Sequence, residues 1–284
     1  MKVFQSVFIM VFCCVNLLAQ QNIRVSYAFL HKRDVTEKNF QTDMDMKLDF
    51  NGKESYFYSE GRFLRDSLSV LAFDMFGNTK DQVAYNEAAR HRGTTDFWHV
   101  NYSVGEYEIG FNEVGHVFIG EGGKLELPQW TLVEMDSSKT FGGYEVKMAE
   151  ADYLGRHWTA WYTEEIPVNA GPWLLWGCPG LIVYAIDSES IFNFYILNLE
   201  QYDVPRWPDG MKAYTRNSEV RKLSVKELEK VKTRARRDVE YRNELWGLGG
   251  SVAQVRRRDG SIEPGNKYLK FQPLISESYW KQNR

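Results

Sequence analysis

The sequence predicts a mainly β, α+β protein: a strongly curved antiparallel sheet with one or more helices packed against its concave side or mouth. Three observations carry this. Apolar and polar residues alternate with a period of two through much of the chain. Forty-three per cent of the 284 residues are hydrophobic, with 9 Trp, 16 Tyr and 17 Phe, the aromatic side chains that strands favour, and 22 Gly and 8 Pro to turn them. Only one segment reads as a long amphipathic helix. With 26% charged residues and a formal net charge of -3, the chain is ordinary globular material rather than disorder, and it lacks the cationic surplus of a dedicated nucleic-acid binder.

Met1-Lys2 followed by the apolar run Val3 to Ala19 reads as an export signal with cleavage after Ala19, which makes residues 1–19 a signal peptide and 20–284 a single β-rich domain. Phe12 and Cys13 stand where a lipoprotein signal would carry small residues, so Cys13 and Cys14 are not read as lipidation sites. No later run is long enough for a transmembrane helix. Cleavage would leave Cys178 alone, which excludes an internal disulfide and a thiolate zinc cluster; a lone buried thiol is the expectation rather than a nucleophile.

Elements follow in order. Ile23 to Leu30 opens the sheet. Met44, Met46, Leu48 and Phe50 alternate with Asp43, Asp45, Lys47 and Asp49 as a half-buried strand, and Asn51-Gly52 suits a type I′ turn returning into Ser55 to Tyr58. Ser59 to Met75 reads as one helical stripe or as an irregular segment, and Asn78 to Asp96 reads as an exposed loop with at most a short helix. Strands over Phe97–Tyr102, Tyr107–Phe111, Val117–Gly120 and Gln129–Met135 are expected as a meander. Tyr144–Glu150 and Arg156–Tyr162 form a hairpin about Leu154-Gly155, and Leu181–Asp187 and Phe192–Glu200 another. Ser224 with Glu227 fits a capping box that opens one long helix, with Val225, Leu228, Val231, Ala235 and Val239 on its inner face and Gly247 as its stop. Its Lys226, Lys230, Lys232, Arg234, Arg236, Arg237 and Arg242 are read as a solvated face, with an anionic partner as the alternative. Arg256-Arg257-Arg258 leads to a turn at Asp259-Gly260 and a last strand near Tyr268 to Ile275.

Between Phe141 and Asp187 lie Gly143-Tyr144-Glu145-Val146-Lys147-Met148-Ala149, Gly155-Arg156, Trp161-Tyr162-Thr163-Glu164-Glu165-Ile166-Pro167, Gly171-Pro172 and Gly177-Cys178-Pro179-Gly180-Leu181-Ile182. This block resembles the GLPGLI family, exported envelope proteins of Gram-negative bacteria without an assigned activity. Cys178 stands where the family name has leucine, and Val146 is a second departure. The resemblance implies a periplasmic, outer-membrane-associated or secreted protein. Its strand pattern and Gly-Pro closure are similar to the half-barrels of periplasmic lipoprotein carriers.

On physical grounds the Gly-Pro signature is architectural, allowing sharp turning and close approach. Motifs of zinc peptidases, nucleophile-elbow hydrolases, phosphate-loop and dinucleotide enzymes are missing, so no catalytic residue, metal or cofactor is assigned. The leading expectation is non-enzymatic binding of an apolar or amphiphilic ligand, a lipid or an extended peptide, with Trp161, Tyr162, Trp173 and Trp176 as the candidate binding residues, although core filling is the commoner use of such a tryptophan cluster. The alternatives are an accessory protein of an outer-membrane uptake or secretion assembly and, less favoured, an envelope-polymer hydrolase.

Overall fold

The computed structural model describes residues 22–32, 34–36, 38–73, 78–113, 116–135, 138–203, 219–245, 255–256, 262–263 and 270–283. The expected signal peptide at 1–19 with Cys13 and Cys14, the helix stop at Trp246-Gly247 and the turn at Asp259-Gly260 lie outside them. No helix among the described residues is long and apolar enough to cross a membrane.

One large open sheet dominates. Its strands are β1 (Ile23–His31), β2 (Gln41–Phe50), β3 (Glu54–Ser59), β4 (Asp96–Asn101), β5 (Glu106–Glu113), β6 (His116–Lys124), β7 (Thr131–Val133), β8 (Lys139–Phe141), β9 (Tyr144–Tyr153), β10 (Arg156–Thr163), β11 (Leu181–Asp187), β12 (Phe192–Gln201) and β13 (Glu219–Ser224). The order across the sheet is β13-β6-β5-β4-β3-β2-β1-β12-β11-β10-β9-β7, with β8 also on β9. Pairing is antiparallel except that β13 lies parallel to β6. A short separate ribbon pairs β14 (Val255–Arg256) with β15 (Ile262–Glu263).

The order shows why the sheet curls. From β6 to β7 the path crosses ten strand spacings, roughly 48 Å if flat. The chain makes the same journey from Lys124 to Thr131, at most about 25 Å of extended backbone. The sheet must therefore bend its two ends toward one another. This corrects the expected four-strand meander: β4, β5 and β6 are neighbours, but β7 pairs with β9 at the opposite end.

Other local expectations are met or amended for identifiable reasons. The Asn51-Gly52 hairpin forms, but not as a type I′ turn. Only Gly52 has positive φ, and the Asn51 side chain accepts from the amides of Lys53 and Glu54 while its own amide donates to the Glu54 carbonyl. Two-residue turns with both residues left-handed are found instead at Gly142-Gly143, between β8 and β9 (φ 58° and 89°), and at Leu154-Gly155, between β9 and β10 (φ 49° and 76°). On β2, Met46 and Leu48 are fully buried, whereas Met44 is exposed. Asp49 departs from the expected polar face. It is buried against Arg24 in a bidentate pair at 2.6 and 2.7 Å, which links β1 to β2 where the two residues are in register.

The stripe after Ser59 is helix α1 (Glu60–Ala72), capped by the Ser59 hydroxyl, which accepts from the Arg62 amide. It covers Tyr58 and Phe97 on the outer face through Phe63, though Leu71 stays exposed. The polar loop holds only the short α2 (Gln82–Ala88). The expected long helix is two shorter ones, α3 (Val225–Arg237) and α4 (Val239–Leu245), because the chain leaves helical geometry at Asp238. The capping box of Ser224 and Glu227 is present. Residues 270–275 are not a strand; they run as an irregular strap into α5 (Glu277–Gln282).

Aromatic side chains fill the inside of the curl. Tyr27, Phe57, Trp98, Ile109, Phe111, Trp158, Tyr162 and Phe194 form one core with the segment between β10 and β11, whose Val168, Ala170, Trp173, Leu174, Leu175 and Cys178 are all buried. That segment plugs the end of the curl where β10 finishes. Trp176 donates from its indole to the Glu126 carbonyl, and Trp130 donates to the Trp176 carbonyl, so the plug is stitched to the β6–β7 connection. Helix α3 lies on β6 where Gly120 leaves room: a Cβ there would stand 3.0 Å from the Val225 Cα. The strap closes the remaining gap through Arg156, which donates to the Leu274 carbonyl (3.0 Å) and the Pro273 carbonyl (2.7 Å) and pairs with buried Asp187 (3.0 Å).

Gly180 of the plug allows a backbone contact that any side chain would break, since a Cβ would sit 2.0 Å from the Thr163 carbonyl oxygen. We expect Gly180→Ala to cost about 3 kcal/mol in urea unfolding. Gly105→Ala, at φ 70° with open space around it, should cost only about 1 kcal/mol. Equal costs would mean that the close approach is relieved without strain.

Candidate functional site

The end of the curl opposite the plug holds a cavity of about 560 Å³. Strand direction builds it: β1 and β11 finish there, β2, β4 and β12 begin there, and α3 runs up to it from the plugged end. Its floor is Phe29, Trp98 and Phe192, inward-facing residues of β1, β4 and β12. One wall is Arg92 to Asp96 with Gln41, Thr42 and Asp43; the other is α3 and α4, contributing Glu229, Lys232, Arg236 and Arg242. Phe271, Pro273 and Leu274 of the strap complete it, and His31 sits at the rim of β1.

Helix α3 carries two kinds of residue along one stripe. Val225 and Leu228 are buried in the core, and Glu229, Lys232 and Arg236, one to three turns beyond Val225, continue on that side beneath the cavity. Lys232 is only 4% exposed, which corrects its reading as part of a solvated face. Its ammonium lies 3.0 Å from Asp96 Oδ2 and 2.7 Å from Glu229 Oε1, while Arg236 Nη2 donates to Asp96 Oδ1 at 2.8 Å. Asp96 is itself buried, at the start of β4 with the inward parity of Trp98. Burial alone would raise its pKa; the two cations outweigh that and hold it below the usual carboxylate value. Among the described residues no group of three His, Cys, Asp or Glu side chains is placed to hold a metal.

His31 stacks on Phe29 at 4.8 Å, and burial, with Arg236 nearby, lowers its pKa from 6.5 to about 4. It is therefore neutral at neutral pH.

The four aromatic residues expected from sequence to bind a ligand are dispersed. Trp173 is core, packed on Trp158 at 5.6 Å, and Tyr162 is buried beside it in the same core. Trp161, on the opposite face of β10, packs on Phe141 and Tyr184. Trp176 lies against Tyr102 at the plugged end. None of them lines the cavity. Cys178 is buried, and its thiol is pushed up to about 12 by loss of solvent, so it has no thiolate character at neutral pH. The signature residues Gly143 and Tyr144 open β9, Gly155 and Arg156 form the turn and strap clamp, and Pro167, Gly171, Pro172, Gly177, Pro179, Gly180, Leu181 and Ile182 belong to the plug and its exit into β11. The cavity residues were missed because they come from six separate stretches. One signal was present: Glu229, Lys232 and Arg236 repeat at the helical spacing of Val225 and Leu228.

Asp96→Asn removes the one carboxylate shared by two cations, and we expect a loss of about 3–5 kcal/mol in urea unfolding. The two titrating groups separate by pH. His31 holds its proton less well folded than unfolded, so stability falls as pH drops from 6.5 to about 4. His31→Asn should flatten that window. Asp96, depressed in the fold, contributes stability that is lost only below the ordinary carboxylate range, and Asp96→Asn should flatten that lower limb.

A family model described as a protein of unknown function (Porph_ging) matches residues 147–184, which run from β9 through the plug into β11. No curated protein matches the sequence. Similar solved structures include two of PNGF-II, in P21 and C2 space groups, with TM-scores of 0.47 and 0.46, 11% identity and 74% of this chain covered. This chain spans about a third of the length of those proteins, 33% and 32%.

Proposed function

We propose that the protein is an exported, non-enzymatic envelope protein that holds an amphiphilic ligand in the cavity at the open end of its curled sheet. The observation that carries this reading is the cavity itself. About 560 Å³ is within the range of small-molecule sites, and its floor of Phe29, Trp98 and Phe192 faces a charged wall, so one end of a ligand meets apolar rings and the other meets polar groups. The plug at the far end makes the site a blind pocket rather than a channel. An open sheet curled about an apolar interior is also what a half-barrel carrier would need, by analogy of architecture alone. Export rests on the apolar N-terminal run ending at Ala19.

Thr42 is exposed at the cavity rim, so Thr42→Trp would fill the mouth without disturbing the core. Native mass spectrometry of protein isolated gently from the envelope should show an extractable extra mass on the wild type and loss of it in Thr42→Trp. A bare wild-type mass, or an adduct that Thr42→Trp retains, would overturn the assignment of the ligand to this cavity.

A further inference from the structure

We propose that the cavity reads an anionic head group, a carboxylate or phosphate, on an alkyl amphiphile, and that Arg236 is the residue that reads it; this rests on the cavity being the ligand site. Some donors of the cluster are already used and others are left over. Lys232 is spent on Asp96 and Glu229. Asp96 is spent on Lys232 and Arg236. Arg236, however, gives Asp96 only its Nη2, and no described protein acceptor takes its Nε or Nη1 hydrogens. A guanidinium cannot shed its proton, and its planar fork suits a carboxylate or phosphate edge.

The side chain is also held ready. Asp96 fixes one nitrogen, and the Phe271 ring lies 4.9 Å from the guanidinium carbon, with Phe111 on the β5 side at 5.9 Å. Of the cluster it is the member that faces open space: its side chain is 28% exposed, against 4% for Asp96 and 5% for Lys232. The surrounding charge favours an anion. Four cationic side chains line the cavity against three carboxylates. The third carboxylate, Asp43, already accepts from the amides of Thr94 (2.7 Å) and Asp45 (3.2 Å). The apolar floor then takes the alkyl chain.

Calorimetric titration of the full chain with dodecanoate, dodecyl phosphate, dodecanol and dodecyltrimethylammonium, all below micellar concentrations, tests this. The wild type should bind the two anions about tenfold or more tighter than the alcohol, and the cation more weakly than the alcohol. Arg236→Gln should bring the anion-to-alcohol ratio close to one. Arg236→Lys, which keeps the charge beside Asp96 but loses the fork, should retain only part of it. The ratio is the readout, so a general loss of stability does not imitate the result. Equal wild-type binding of dodecanoate and dodecanol overturns the anion inference while leaving the amphiphile reading intact. Binding of none of the four overturns both. Inorganic phosphate competing as well as dodecyl phosphate would leave Arg236 an anion site but remove the amphiphile.

Discussion

The short connection between β6 and β7 is the constraint from which the rest of the architecture follows. It ties strands that lie ten places apart in one sheet, so the sheet has to roll around an interior. A rolled sheet of this width encloses an interior that must be filled to protein packing density. The chain answers with large rings on the inward positions and with a whole segment, the stretch between β10 and β11, folded into one end. That segment cannot be helix or strand throughout, yet it is buried, so its backbone polar groups need partners. They find them within the plug and at its margins: Val168 and Leu181 both donate to the Ile166 carbonyl, Gly177 to Asn169 and Ile182 to Ala170. Tyr27, fully buried, spends its hydroxyl on the Ile182 carbonyl at 2.7 Å, linking the first strand to the plug's exit.

The other end of the roll is finished differently. There the interior is walled by charged groups on α3 and β4 rather than closed with rings. Buried ion pairs add little net stability compared with apolar packing of the same volume, because desolvation offsets the attraction. Their place on α3 beside the cavity, with the apolar stripe of the same helix at its other end, makes the polarity of the cavity a built property of the fold. The cluster also orients α3. Both Lys232 and Arg236 reach Asp96 only in this register, while Leu228 and Val225 sit over Gly120.

Much of the sheet was legible in the amino-acid sequence because local alternation and paired turns specify hairpins. The β9–β10 and β11–β12 hairpins, the strands on either side of Asn51-Gly52 and the capping box of α3 all belong to this class. What local pattern does not encode is which strand becomes whose neighbour after a long excursion. Nothing in Thr131 to Val133 announces that it joins β9 rather than β6, and Asp49 looks like a solvent-facing residue until Arg24 is found across the ladder. The site was less legible still. Its aromatic floor is drawn from Phe29, Trp98 and Phe192, single inward residues on three strands, while the tryptophans crowded together in sequence went to the plug, one face of β10 and the core. Density of aromatic residues along the chain marked where the interior is filled, not where it is left open.

The strap clamped by Arg156 has a kinetic consequence. Lys270 donates its amide to Asp34, 236 positions earlier, and β1 waits for β12 to cover its second edge. Hairpins such as β4–β5 close short loops and form early, but these contacts close very long ones, which makes them slow in entropic terms. A partly folded chain therefore exposes the unpaired edge of β1 and has sheet without a pocket. The cavity is completed in one late step, when Phe271 to Leu274 settle between α3 and the β9–β10 turn.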